Sequence, residues 1–140
     1  MTSQQPSAGA KNSWIGAVRL GLIVPGDCHV DDEFWRLTAP GAVPVITRTR
    51  GSSLDDYAVP RVIALAESPD IDDAADRLRA VAPAAAAYVD TSISFVRGRG
   101  GDTEIADRIR RLLRCPTTVT STAVVEARSE ERRVGKECRL

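Results

Sequence analysis

Three cysteines (Cys28, Cys115 and Cys138) are too few for a disulfide framework, and no CxxC spacing points to a zinc site. Aromatic residues make up only 4% of the 140 residues, which leaves no stacking platform for single-stranded nucleic acid. Neither sign of charge is in excess, since 19 Lys plus Arg face 19 Asp plus Glu. Bulk electrostatics therefore draws the chain to neither nucleic acid nor a membrane surface. No apolar run approaches the roughly 20 residues that span a bilayer. Residues Met1 to Ser13 are polar and contain no apolar stretch of a secretory signal. Residues 1–17 are expected to be a disordered lead, and the protein is expected to be cytoplasmic. What is present is an apolar fraction of 43%, enough for the core of one ordinary domain.

Strand-like and helix-like segments alternate. Val18 to Val24 is a nearly continuous apolar run closed by Pro25-Gly26-Asp27, the pattern of a buried parallel strand and its loop. Asp31 or Asp32 is placed to N-cap a short helix through Leu37, with Phe34 and Trp35 as core anchors. Val43 to Thr49 is β-branched and alternating. Gly51 to Pro60 reads as loop, and Val62 to Ala66 as a short helical piece. From Asp70 to Ala82, Ile71, Ala74, Ala75, Leu78 and Val81 or Ala82 fall on one helical face, and Pro83 ends the run. Ala84 to Val89 reads as a buried strand. Asp102 is placed to cap a helix whose apolar stripe is Ile105, Ile109, Leu112 and Leu113, with Arg108, Arg110, Arg111 and Arg114 on a solvated face. Pro116 to Thr120 reads as a fourth strand, and Ser121-Thr122 as the cap of a helix from Ala123. The class is α/β, a parallel sheet flanked by helices.

In such sheets ligands bind beyond the C-terminal strand ends. Three loops belong there: Pro25 to Asp31, Asp90 to Arg97, and Thr120 to Thr122. Thr91 and Ser92 directly follow a buried strand. Two adjacent hydroxyls with the backbone N–H groups of a turn form an anion cradle suited to a carboxylate. On spacing alone the same two residues better suit the capping of a helix that begins near Ile93. Cys28-His29 lacks a third metal ligand, so no metal is expected. Cys115 reads as a buried packing thiol. Gly98-Arg99-Gly100-Gly101 has neither GxGxxG spacing nor the Lys-Ser/Thr of a phosphate loop.

The C-terminal stretch has a different composition. Before Arg128 the basic residues are thirteen Arg and one Lys. Arg-Ser-Glu-Glu-Arg-Arg-Val-Gly-Lys-Glu-Cys (128 to 138) has no apolar periodicity and resembles, residue for residue, the translation of a common sequencing adaptor. Residues 128–140 are accordingly expected to be non-native, and a charged terminal helix is the other reading. Residues 18–127 are then expected to form an incomplete α/β lobe, and the chain without the tail has 14 basic against 16 acidic residues.

Gly-Leu-Ile-Val-Pro (21 to 25), Asp-Thr-Ser-Ile-Ser-Phe-Val-Arg-Gly (90 to 98) and Cys-Pro-Thr-Thr-Val-Thr-Ser-Thr-Ala-Val (115 to 124) occur in this order. Together they resemble the N-terminal half of the arylmalonate decarboxylase and maleate cis-trans isomerase group, within the aspartate/glutamate racemase superfamily. The resemblance covers roughly Val18 to Ala127. It implies one lobe of a two-lobed racemase-like fold, truncated, with a site in the cleft between lobes. It also implies cofactor-independent decarboxylation, isomerisation or racemisation at the carbon next to a carboxylate of a small (di)carboxylic acid. By that resemblance, Thr91 and Ser92 hold a substrate carboxylate, and Pro25 and Gly26 line the pocket. Racemases and maleate isomerases carry Cys at the position of Asp90, and the decarboxylase carries Gly. Asp90 is thus an acid/base replacement or a polar strand-end residue. The family's second thiol belongs to the C-terminal lobe, so the fragment alone is expected to be inactive. A non-catalytic carboxylate-binding module and a structural α/β domain remain the alternatives. Self-association through the exposed lobe interface is a further expectation, with no nucleic-acid or membrane partner.

Overall fold

A computed structural model describes residues 16–50 and 58–137, with side chains through residue 131. Residues 1–15 of the expected lead, and most of the loop expected from residue 51, lie outside the described residues. The elements are β1 (Val18–Val24), α1 (Asp31–Leu37), β2 (Ala42–Arg48), α2 (Val59–Glu67), α3 (Asp70–Leu78), a 3-10 turn (Arg79–Val81), β3 (Ala85–Tyr88), α4 (Thr91–Val96), α5 (Gly101–Leu113), β4 (Thr117–Val119) and α6 (Thr120–Glu137). The strands form one all-parallel sheet in the order β2-β1-β3-β4. This is the expected α/β class.

Strand residues alternate between the two faces of the sheet. Ile23, Ala86, Tyr88 and Val119 point to one face and pack with residues of α2, α3, α4 and α5 into the core. Ile71, Ala74, Ala75 and Leu78 of α3 are all buried there, as their spacing predicts. Gly21 lets α3 come close: a Cβ at this position would stand 3.0 Å from Leu78 Cδ1 and 3.3 Å from Pro83 Cβ. The opposite face carries Leu20, Leu22, Ile46, Ala85 and Ala87, which are only half-buried, although Val24 and Pro44 on that face are buried. Right-handed crossovers explain the asymmetry. The step from β1 to β2 runs one way and puts α1 on that face. Every later step runs the other way and puts its helices on the core face. Pro44 is tolerated inside β2 because β2 is an edge strand.

Several local expectations change. No side chain caps α1, whose N-cap residue is Val30; Asp31 instead forms an ion pair with Arg48. Phe34 and Trp35 are not core anchors: α1 has no buried residue and Trp35 is 50% exposed, because among the described residues no second helix layer covers that face. Pro60 lies in the first turn of α2, where a missing N–H costs nothing, so the helix is longer than the expected piece. Gly100, in a left-handed conformation, occupies the N-cap of α5 in place of Asp102. Asp102 sits within the first turn and accepts from Thr103 N (2.8 Å) and Thr122 Oγ1 (3.0 Å). These donors, the Thr103 N–H first, hold the Asp102 carboxyl below its ordinary pKa. Arg108 does not face solvent. It donates to the carbonyls of Ala66 and Ser68 (2.8 Å each) and to Asp72 (3.2 and 2.8 Å), joining α5 to α2 and α3. Helix α6 starts at Thr120, directly off β4, and runs past Ala127 to Glu137 without a break. From Ala123 to Glu131 all its residues are exposed.

Candidate functional site

The order β2-β1-β3-β4 has one reversal of direction, between β1 and β3. Strand β1 connects to β2 on one side, and β3 lies on the other. Loops leaving the two C-terminal ends diverge, and in parallel sheets such a reversal is where a ligand crevice forms. The strand ends are tied across: Val89 N donates to Ile23 O (2.8 Å), and Thr49 N donates to Val24 O (2.9 Å). The loop with Pro25 and Gly26 and the turn with Asp90, Thr91 and Ser92 therefore flank the same point. The five residues singled out from sequence thus follow the C-terminal ends of two neighbouring strands.

Asp90 is the N-cap of α4. Its backbone is extended, and its Oδ1 accepts from Ile93 N at 2.9 Å. Thr91 and Ser92 are the first two helical residues and not the cap; both are exposed. No hydrogen bond among the described residues engages either hydroxyl, so both donors are open to a ligand. Burial raises the Asp90 carboxyl above its ordinary pKa, and the charge of Asp27 raises it further. The N–H groups of Ile93 and Ser92 oppose the shift. Asp27, which the sequence pattern offers only as loop punctuation, is thus a second carboxylate at the crevice. A Pro-Gly-Asp turn directly after a buried strand is the signal that could have marked it.

The end of β4 completes the rim. Thr120 Oγ1 donates to Tyr88 O at 3.4 Å. Ser94 Oγ donates to Thr91 O (3.0 Å) and accepts from Ser121 N (3.2 Å), while Ser121 Oγ donates to Ser94 O (3.3 Å). Both serines are buried, at 1% and 4% exposure, so α4 and α6 are locked together beneath Thr91. Thr122 turns away from the crevice to Asp102.

The remaining candidates lie elsewhere. Cys115 is buried at the opposite end of β4, where burial pushes its thiol up. Cys28 is half-buried in the loop after β1, and His29 is exposed. Among the described residues no three His, Cys, Asp or Glu side chains form a metal-binding group. Residues 98–101 form the tight turn between α4 and α5. Gly98 and Gly100 have φ of 65° and 92°, and a Cβ on Gly101 would lie 2.4 Å from Arg97 Cβ. These glycines serve chain geometry. Among the described residues, no helix is long and apolar enough to cross a membrane.

No family model matches the sequence, and no curated protein does. Solved structures do match. Maleate isomerase Iso from Pseudomonas putida S16 superposes with a TM-score of 0.63 at 19% identity, covering 79% of this chain and 48% of its own. The fold is racemase-like. A variant of that isomerase with maleate gives a TM-score of 0.60 at 18% identity, covering 79% and 47%. Unliganded arylmalonate decarboxylase gives 0.59 at 26% identity, covering 79% and 44%. The chain spans about half the length of the solved structures it matches.

Proposed function

We propose that this chain is a carboxylate-binding lobe of a cofactor-independent decarboxylase or isomerase acting on a small (di)carboxylic acid. The observation that carries the reading is the pairing of the Pro25-Gly26 loop with the open Thr91 and Ser92 hydroxyls at one strand reversal. The likeness to maleate isomerase and arylmalonate decarboxylase supports it. A carboxylate seated against Thr91 and Ser92 receives two hydroxyl donors, and the charge that develops on it as the adjacent carbon reacts is stabilised there. Asp90 stands where the family carries a thiol or a glycine. Protonated, its carboxyl repels no dianionic substrate and holds a proton for the reacting carbon. The raised Asp90 pKa supports that role.

The N-cap bond from Ile93 to Asp90 favours a second reading, in which Asp90 is structural and the lobe binds a carboxylate without turnover. Titrating malonate and maleate into the ¹⁵N-labelled chain tests the first half of the proposal. The expected result is saturable shifts at residues 25–28 and 90–93, with Thr91→Val and Ser92→Ala each weakening binding about tenfold or more, the value of a hydrogen bond to a charged group. No shifts at these residues would sink the carboxylate site. In the full-length protein, Asp90→Asn separates the two readings. It abolishes turnover if Asp90 transfers the proton and leaves turnover intact if Asp90 only caps α4.

A further inference from the structure

Arg48 is the last residue of β2 and pairs in register with Val24, the last residue of β1. From there its guanidinium reaches over the loop that leaves β1. Nη1 donates to Pro25 O (3.2 Å) and to Cys28 O (2.8 Å). Nη2 donates to both carboxylate oxygens of Asp31, at 2.7 and 2.6 Å. One side chain thus binds the loop at residues 25, 28 and 31, its beginning, middle and end. Gly26 and Asp27 lie between two of those attachments. The Cys28 N–H closes the same turn by donating to Pro25 O at 3.1 Å. Arg48 is itself fixed, because its carbonyl accepts from Arg77 Nη2 at 2.6 Å and Arg77 Nε donates to Thr47 Oγ1 at 3.2 Å.

We infer that Arg48 is a positioning residue. It sets the pose in which residues 25–28 face Asp90, Thr91 and Ser92 across the crevice. A planar fork with several fixed, spread donors suits three separate loop positions better than an ammonium, whose donors sit on one compact point charge. The inference rests on the crevice being the carboxylate site proposed above, and it adds the device that preorganises one wall of it. A glycine-containing loop held only by its strand end would sample many conformations, and ordering it would be charged against each binding event.

The test uses amide hydrogen exchange and malonate titration on the whole chain, with Arg48→Met, Arg48→Lys and Asp31→Asn. The Cys28 amide is the reporter, because its hydrogen-bond acceptor is the carbonyl that Arg48 holds. Arg48→Met is expected to speed Cys28 exchange about tenfold or more, while amides of β1 and β3 keep their protection. Malonate binding should weaken by a similar factor. Arg48→Lys should restore only part of both, and Asp31→Asn should give an intermediate loss. Unchanged Cys28 exchange overturns the inference. So does a uniform rise across the sheet, which would make Arg48 a general stabiliser. Faster exchange with unaltered malonate affinity overturns it too, because the pose would then be irrelevant to the site. If the parent chain itself binds no malonate, the carboxylate reading fails, and the exchange result alone decides whether Arg48 holds the loop.

Discussion

Asp90 sits where a buried strand end, a second carboxylate and a helix start meet, and its titration has a sign that can be worked out. Its folded-state pKa lies above the unfolded value of about 3.9. The folded chain therefore holds this proton more tightly than the unfolded chain. The stability from Asp90 is fully present below the unfolded value and is lost as pH rises through the folded value. Asp90→Asn keeps an oxygen for the Ile93 N–H and removes the charge. The expected outcome is a higher thermal midpoint than the parent at pH 7, an equal midpoint near pH 3, and a flatter pH dependence between. Tyr88 offers a second residue-scale test. Its ring is wholly buried, and its hydroxyl has no hydrogen-bond partner among the described residues. Burial drives its pKa far above the ordinary phenol range, with Asp90 adding to the shift. An unsatisfied buried donor costs about 1–3 kcal/mol. Tyr88→Phe should therefore raise the unfolding free energy by about 1 kcal/mol in urea titrations, and a loss would mean that the hydroxyl is paired after all.

At the scale of elements, two arginines of α5 separate a structural cation from a solvated one. Arg108 is 16% exposed and spans three elements, whereas Arg111 lies on the outer side. Arg108→Met should cost about 2 kcal/mol, because it strands two carbonyls and a partly exposed carboxylate. Arg111→Ala should stay within about 0.5 kcal/mol. Chemical denaturation of both variants decides it. The far end of α6 is expected to matter as little. Deleting residues 128–140 should shift the unfolding free energy by less than about 1 kcal/mol, because the helix is already exposed from Ala123. The contrast between these elements also shows what was legible beforehand. The apolar run of β1, the spacing of α3 and the strand-then-loop pattern at Asp90 are local signals, and they located the sheet and both flanks of the crevice. The partners of Arg48 and Arg108 lie 17 to 42 residues away along the chain, so no local pattern carries them. The apolar content of Phe34 and Trp35 misled for a related reason, since burial depends on whether a second layer exists over α1.

At the scale of the whole molecule, the sheet has one covered face and one half-open face. Neighbouring residues of β1 report on each. Ile23 is fully buried in the core, and Leu22 is only half-buried on the opposite side. Ile23→Ala should cost about 3 kcal/mol and Leu22→Ala roughly half of that, measured by the same urea titrations. Equal losses would mean that the open face is packed as tightly as the core face.

The central place of β1 has a consequence for how the chain is made. Among the described strands β1 is the first to leave the ribosome, yet it pairs on both edges. Its pairing with β2 begins at Ala42, but its pairing with β3 waits for Ala85. Until then, the edge facing β3 presents an apolar strand with unpaired backbone groups, a template for association with other nascent chains. Because this pairing is parallel, no hairpin can form early to shield it, and closure depends on long intervening segments. The nascent chain therefore passes through a vulnerable interval while the residues between Arg48 and Ala85 are added. A chaperone that engages the apolar residues of β1 during synthesis would protect the protein when it is least able to protect itself.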